Sequence, residues 1–421
     1  MPFNIGLSGL NSAQADLQTT GNNVSNAGTT GFKRSRAEFG DVFAQSFGGV
    51  SQTATGGGSR LMAVTQQFTQ GRTEFTENGL DLAIDGEGFF MVSDQGGNYY
   101  TRAGEFQVDR DGYLVNNQGQ RLQGFEPDDP GSTDTGFGSA ADDIRLQTGA
   151  SAPQATSDIE ALVNLQSDAP ILDPDAFDFD DPDSYNYSTS LTVYDSLGAA
   201  RDAQIYFVKT ADGEWNSYVR VSDGVDDQGD PRYLEILDAD DNPDPFPLVF
   251  DGSGQLTSDS EEIFNFEGLS NGADDLSIAV DFAGTTQYGG DFSVNDLGQN
   301  GFASGRLTGV DIDSSGAVFA RFTNGQSAVL GQVAMARFNN PQGLEQLGNN
   351  LWAETFAAGD RTLGAPGTSN LGEIQAGALE ASNVDIAQEL VNLITAQRNF
   401  QANAQTISTA DQVTQTIINI R

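Results

Sequence analysis

The chain has 421 residues, enough for more than one core, and carries 60 acidic against 19 basic residues, a net charge of −41. It has neither Cys nor His, which removes disulfides, thiolate nucleophiles, Ser-His-Asp triads and the commonest metal ligand. The charge disfavours nucleic acid and anionic membranes as partners. No apolar run approaches the ~18 residues that span a bilayer, so no membrane insertion is expected.

The first predicted element is a helix over 1–27. The opening MPFNIGLSGLNSAQ lacks a basic region and a continuous apolar core, so it does not read as a secretory signal. Phe3, Leu10, Leu17 and Val24 recur every seven residues, and Gly6, Ala13, Thr20 and Ala27 form a weaker second row. Such a seam, narrow and partly built from small residues, suits a coiled coil. The polar run GNNVSNAGTTGFKR (21–34) looks like a loop, yet Val24 and Ala27 continue both rows. The helix should therefore persist to about residue 27, with Gly28 as its C-cap. Asn22, Asn23 and Asn26 would lie on or beside it, where amides could bond neighbouring subunits, and Phe32 would anchor the connector that follows.

Residues 28–70 read as a connector, with TATGGGSR (53–60) as a flexible turn. Residues 71–147 hold short β-like runs broken by DQGG, DRDG and NNQG, the spacing of a hairpin meander. Residues 148–302 form an acidic segment with strands such as STSLTVYDSLG, DAQIYFVKT and WNSYVRVSD. Between 151 and 300 there are 32 acids and 4 bases, a net of −28, so the other 271 residues carry −13. Residues 303–356 return to the style of 71–147 and complete an inner β-domain, which makes 148–302 an outer β-domain inserted in it. Residues 357–382 are a Gly/Pro-rich second connector leading to the last element.

No Gly or Pro interrupts 383–421, so a single helix of about 38 residues, ~57 Å long, is predicted. Ser382 or Asn383 could cap it, with Asp385 in its first turn. Ile386, Leu393, Phe400, Ile407 and Thr414 form one row; Leu390, Gln397, Ala404, Asp411 and Ile418 form the other. The fold class is thus mainly β with paired terminal α-helices, in nested order: a terminal coiled-coil domain (1–27, 383–421), connectors (28–70, 357–382), an inner β-domain (71–147, 303–356) and an acidic outer β-domain (148–302). Each lone helix would expose an apolar stripe, so both are expected to stay loosely ordered until they assemble.

Signals for chemistry are weak. DPDAFDFDDPD (173–183) and DADDNPD (238–244) look calcium-like, and the second places Asp238, Asp240 and Asn242 at alternate positions. Its sixth position is Pro243 and its twelfth is Val249, where an EF-hand loop needs Gly and Glu, so solvated acidic loops are expected instead. No nucleophile elbow or phosphate loop is present, and any pair among so many acids is poor evidence for glycoside hydrolysis. No catalytic residue, metal or cofactor is expected.

Four blocks together resemble the bacterial flagellar rod and hook proteins: SGLNSAQADLQTTGNNVSNAGTTGFKRSRAEF (8–39), GEGFFMVSD…YTRAGEFQVDRDGYLVNNQGQRLQGF (86–125), TNGQSAVLGQVAMARFNNPQGL (323–344) and GALEASNVDIAQELVNLITAQRNFQANAQTISTADQ (377–412). They cover roughly a third of the chain, and their joint order is highly specific. Within that family, TSLTVYDSLGAARDAQIYFVKT (189–210) inside a large insertion resembles the hook type; a distal rod protein is the nearer alternative, and a secreted acidic calcium-binding adhesin or enzyme the remoter one. The resemblance implies a non-enzymatic subunit of the extracellular flagellum, exported without a cleaved signal peptide by the type III apparatus. It would polymerise with copies of itself into a flexible hollow tube, and meet the rod, the hook cap and the hook–filament junction proteins. Phe3, Leu10, Leu17, Asn22, Asn23, Val24, Asn26, Phe32, Ile386, Leu390, Leu393, Gln397, Phe400, Ala404 and Ile407 would be its assembly residues.

Overall fold

The computed structural model describes residues 2–42, 56–128, 136–146, 149–225, 230–237 and 242–419. It is mainly β, with one helix at each end: α1 (Pro2–Ser25) and α2 (Ile386–Asn419). Two compact units emerge, the first made of Met1–Thr148, Thr308–Arg321 and Ser327–Arg421, the second of Gly149–Leu307 with Phe322–Gln326.

The second unit is a sandwich. One sheet is an antiparallel meander of Tyr187–Tyr194, Ala200–Ala211, Glu214–Val225 and Pro231–Glu235, with Phe246–Val249 added beside the third strand. The other is mixed: Asp158–Gln166 runs parallel to Leu276–Asp281 and antiparallel to Ser293–Gln299. Alternating residues of both sheets (Ile159, Val163, Ile205, Phe207, Val219, Ile278, Val280) form one buried cluster. Period-2 alternation is what lets a segment this acidic build a core, since strand acids such as Asp158, Glu160 and Asp202 turn outward while their neighbours turn in.

Segment 173–183 is less solvated than its composition suggests. Phe177 stacks on Tyr218 at 3.9 Å and Phe179 meets Tyr206 edge-on at 5.2 Å, while Asp180 pairs with Arg220 at 3.1 Å. The two phenylalanines pin the loop onto the outer face of the meander. Asp238 and Asp240 of the other calcium-like run lie outside the described residues.

The first unit centres on a large, mostly antiparallel sheet around Phe89–Asp94, Gly97–Thr101, Arg121–Pro127 and Ser327–Val333. Its predicted turns are real: Gln95 and Gly96, Gly112, and Gly119 take positive φ at the three meander corners. Both connectors are more ordered than expected. Ser35–Asp41 pairs with Ser59–Gln66 in an antiparallel ladder, so the described part of TATGGGSR runs straight into a strand; residues 53–55 lie outside the described residues. In the C-terminal connector, Arg361–Gly364, Glu373–Ala376 and Ala378–Glu380 each join a strand of the first unit. Apolar alternation in these stretches is short and broken by Gly and Pro, which hid the pairing.

Candidate assembly interface

α1 and α2 pack antiparallel: Gly6 lies against Ile407, Gly9 against Asn403, and Asn23 reaches Glu389. Small residues set that approach. A Cβ on Gly6 would fall 2.9 Å from Ile407 Cγ1, and one on Gly9 would fall 2.8 Å from Asn403 Cγ. On α1 the covered row is Gly6, Ala13 and Thr20, all buried; Leu10, Leu17 and Val24 are half-buried beside it, and Phe3 is exposed.

The α2 seam departs from the predicted pair of rows. Leu393, Phe400 and Ile407 are half-buried as one row, but the second row is Glu389, Ala396, Asn403 and Ala410, one residue before the predicted one. Leu390, Gln397, Asp411 and Ile418 therefore point away from α1 and are exposed, as is Ile386; Ala404 sits half-buried at the edge. Both registers have the same heptad spacing, and the apolar content of Leu390 favoured the wrong one. The buried Glu389 was invisible as a seam residue because a lone acid in an apolar row normally signals the outside. With 34 residues against 24, α2 also outruns its partner: by the observed register, Pro2 falls opposite about residue 411, and Val413, Ile417 and Ile418 beyond it are exposed.

The run GNNVSNAGTTGFKR is a built junction. α1 stops at Ser25, short of 27, and Gly28 does not take the left-handed conformation; Gly31 does (φ 69°). There a side chain would strike the Arg102–Ala103 peptide 2.6 Å away, and the Gly31 N–H donates to the Glu380 carbonyl at 2.7 Å. Asn23 does not face a neighbour. Its Nδ2 donates to Ser35 O at 2.8 Å and Glu389 Oε2 at 3.2 Å, and its Oδ1 accepts from the Ser35 N–H at 2.9 Å. Asn26 donates back to the Asn22 carbonyl, while Asn22 remains exposed. Phe32 is buried.

Beside Phe32 lies a node that sequence reasoning passed over. Lys33 Nζ contacts Glu380 Oε1 at 2.6 Å and donates to Thr69 O at 2.9 Å. Arg102 Nη1 reaches Glu380 Oε2 at 3.1 Å, and the Gly71 N–H donates to Oε1 at 2.7 Å. All three side chains are at most 4 % exposed. Burial pulls the Lys33 ammonium and the Arg102 guanidinium below their ordinary pKa values, and Glu380 opposes both shifts. The node ties segments 31–33, 69–71 and 102 to residue 380, where the two ends of the chain converge on the β-sheet. Its one legible signal was rarity, since Lys33 is one of only two lysines. The other, Lys209, is also buried, donating to the Ser167 carbonyl at 2.7 Å.

Asn383 completes the join rather than capping α2. It accepts from the Arg34 N–H at 2.7 Å and donates to Gln67 O at 2.8 Å. Asp385 is the cap, accepting from the N–H groups of Ala387 (2.9 Å) and Gln388 (3.2 Å).

The hook-like motif YDSLG also has a structural account. Asp195 is fully buried and accepts from the Leu197 and Ala199 N–H groups, from Arg201 at 3.0 Å and from Asn271 at 2.6 Å. Burial alone would raise its carboxyl, but the Ala199 N–H, Asn271 and Arg201 outweigh it and hold the pKa below the usual carboxylate range. Arg201 bridges on to Asp223 at 2.6 Å, which also holds Arg232 and the Ser270 N–H. Among the described residues, no group of three acidic side chains could hold a metal ion.

Comparison with known proteins agrees with this layout. Four family models match in chain order: the flagella basal body rod protein model (3–33), the flagellar hook protein FlgE/F/G D1 domain (83–160), the flagellar basal body protein FlaE D2 domain (164–302) and the flagellar basal body rod FlgEFG protein C-terminal model (375–420). The chain is 38 % identical over 424 residues to the flagellar hook protein FlgE of Salmonella typhimurium, with 100 % of each covered. It is 37 % identical to that of Escherichia coli K12, again over all of both, and 32 % identical to that of Rhizobium meliloti, over 99 % of this chain and 98 % of the relative. The crystal structure of the Helicobacter pylori flagellar hook protein FlgE2 shares the fold, with a TM-score of 0.51 at 15 % identity over 73 % of this chain and 100 % of that one. Matched end to end by these relatives, with terminal helices paired as the four blocks implied, the chain belongs to the flagellar hook protein family and is a structural subunit of the bacterial flagellar hook.

Proposed function

We propose that this subunit polymerises into a hollow, flexible tube that couples rod to filament and carries out no catalysis. The observation behind this reading is the half-finished helix pair. α1 and α2 cover one seam on each other and leave Phe3, Leu390, Val391 and Ile394 in water, apolar surface of the kind that other copies would cover. Head-to-tail contacts whose rotation does not close a ring propagate as an open helix, and that is the polymer proposed. In this reading the terminal segments (1–27, 383–421) form the inner wall, the connectors and the inner β-domain (71–147, 303–356) the middle shell, and the acidic domain (148–302) the outer surface. The subunit travels unfolded through the type III export apparatus and meets the rod, the hook cap and the hook–filament junction proteins. Leu390 and Gln397, which face away from α1, are the positions assigned to contacts between copies.

Removing 386–419 tests it. Sedimentation should show that the truncated chain stays monomeric while its β-sheet circular dichroism persists. Polymer from the truncated chain would refute the reading.

A further inference from the structure

We infer that Phe356 is a knob that seats on the Ser35–Asp41/Ser59–Gln66 hairpin of a second copy of this chain, with Asp360 facing Arg60 across the contact. The inference rests on the polymer reading above and adds to it a specific pair of surfaces outside the helices.

Phe356 is fully exposed, at 104 %, so no atom of its own chain shields it. A single exposed apolar residue is ordinary on a mobile tip, but this one stands on a fixed frame. The Thr355 hydroxyl donates to the Gly343 carbonyl, Asn340 Nδ2 donates to Ala357 O at 2.9 Å, and the Asn340 N–H donates to Ala358 O at 3.2 Å. Ala358, two residues on, is fully buried among Phe89, Phe338 and Trp352. The backbone on both sides is therefore pinned, and the ring is held out in water.

The hairpin offers the matching surface. Phe39, Leu61 and Val64 are each between 41 % and 51 % exposed, and the pairing of Phe39 with Leu61 and of Ala37 with Val64 puts them on one face of a short two-stranded ladder. Charge adds to the apolar match. Arg60, next to Leu61, and Asp360, four residues after Phe356, are both exposed and have no ion-pair partner among the described residues. An open polymer needs heterologous contacts, in which one surface of a subunit meets a different surface of the next. A framed knob and an apolar ladder on one chain are such a pair, and the full exposure of Phe356 shows that they do not meet within it.

The absence of Cys makes the test direct. Hooks are assembled from a mixture of Phe356→Cys and Val64→Cys chains, purified and treated with a short bismaleimide. A cross-linked dimer is expected in the mixture and not in hooks made from either variant alone. Hooks that form from the mixture and give no dimer beyond those two controls overturn the inference. Charge exchange gives a second arm: Asp360→Arg should lower the temperature at which purified hooks dissociate, and Asp360→Arg with Arg60→Asp should restore it, the isolated subunit melting unchanged in both. A lowered subunit melting temperature for Phe356→Ala would also overturn the inference, because the ring would then be packing within its own chain. Failure of the unsubstituted chain to form hooks would sink the polymer reading itself.

Discussion

The sandwich of the second unit and the terminal helix pair are built to opposite specifications. In the sandwich, Ile159, Val163, Ile205, Phe207, Val221, Ile278 and Phe282 are at most 1 % exposed, and aromatic rings interlock across the sheets, with Phe207 6.1 Å from Phe282. In α2 the fully buried side chains are Glu389 and Ala396, while Leu390, Val391 and Ile394 stay in water. One region completes its burial alone; the other stops halfway. The contrast teaches where the free energy of each resides: the sandwich within one chain, the helices in contacts the single chain does not contain.

The strongest way to break that contrast is to strike both regions alike. Phe207→Ala should cost the second unit about 3–5 kcal/mol by denaturant unfolding, because the cavity opens in a closed core. Phe400→Ala, half-buried in the helix seam, should cost the isolated subunit ~1–2 kcal/mol or less. Equal losses would mean that the helices are as self-sufficient as the sandwich.

Next comes the join between the ends of the chain and the sheet. Glu380→Gln takes from the buried Lys33 and Arg102 the carboxylate that both contact, and breaking a buried pair in this way costs about 3–5 kcal/mol. Replacing all three by Met, Met and Leu should recover most of that loss, since well-packed apolar groups of similar volume often match a buried ion pair. A triple variant no better than Glu380→Gln alone would show that the node's hydrogen bonds to Thr69 and Gly71 matter more than its charges.

What sequence could reveal follows the same division. Strand alternation and Gly-marked turns are local, so the meander and the sandwich strands could be read from runs such as DAQIYFVKT and the DQGG corner. Heptad spacing announced both helices and Leu393, Phe400 and Ile407 as a contact row. Choosing between rows one residue apart needs the partner surface, and there Leu390 misled while Glu389 hid. Glu389 is tolerable inside only because Asn23, Asn392 and Arg34 converge on it. The Lys33–Glu380–Arg102 node joins residues hundreds of positions apart, and no local pattern encodes such a meeting. The junction GNNVSNAGTTGFKR reads as filler for the same reason: Glu389 and Glu380, which Asn23 and Gly31 meet, lie at the far end of the chain.

A smaller effect separates tight from loose helix packing. Gly6→Val forces a branched side chain against Ile407 Cγ1, and overpacking of this kind costs about 1–3 kcal/mol. Helical circular dichroism should melt earlier while the β-sheet signal is unchanged. Coincident shifts of both signals would mean that helices and sheets unfold as one.

The smallest effect concerns charge inside the helix pair. Burial, and then the nearby Glu389 carboxylate, raise the Asp16 carboxyl above its ordinary value of 3.8. A carboxyl whose folded pKa is raised binds its proton more tightly in the folded state, so folding is favoured at low pH. That advantage is lost as pH climbs from the ordinary value through the raised one, and the ionised side chain then opposes pairing. The groups facing the pair set the sign: Glu389, which Asn23, Asn392 and Arg34 hold in place, is the carboxylate that Asp16 meets across the seam. Asp16 is only half-buried, so solvent screening keeps the effect within the ~0.2–1 kcal/mol typical of exposed pairs. Asp16→Asn should therefore flatten the pH dependence of helix melting across that window and raise the midpoint at neutral pH. A variant that melts lower at neutral pH would mean that the Asp16 carboxylate supports the pair.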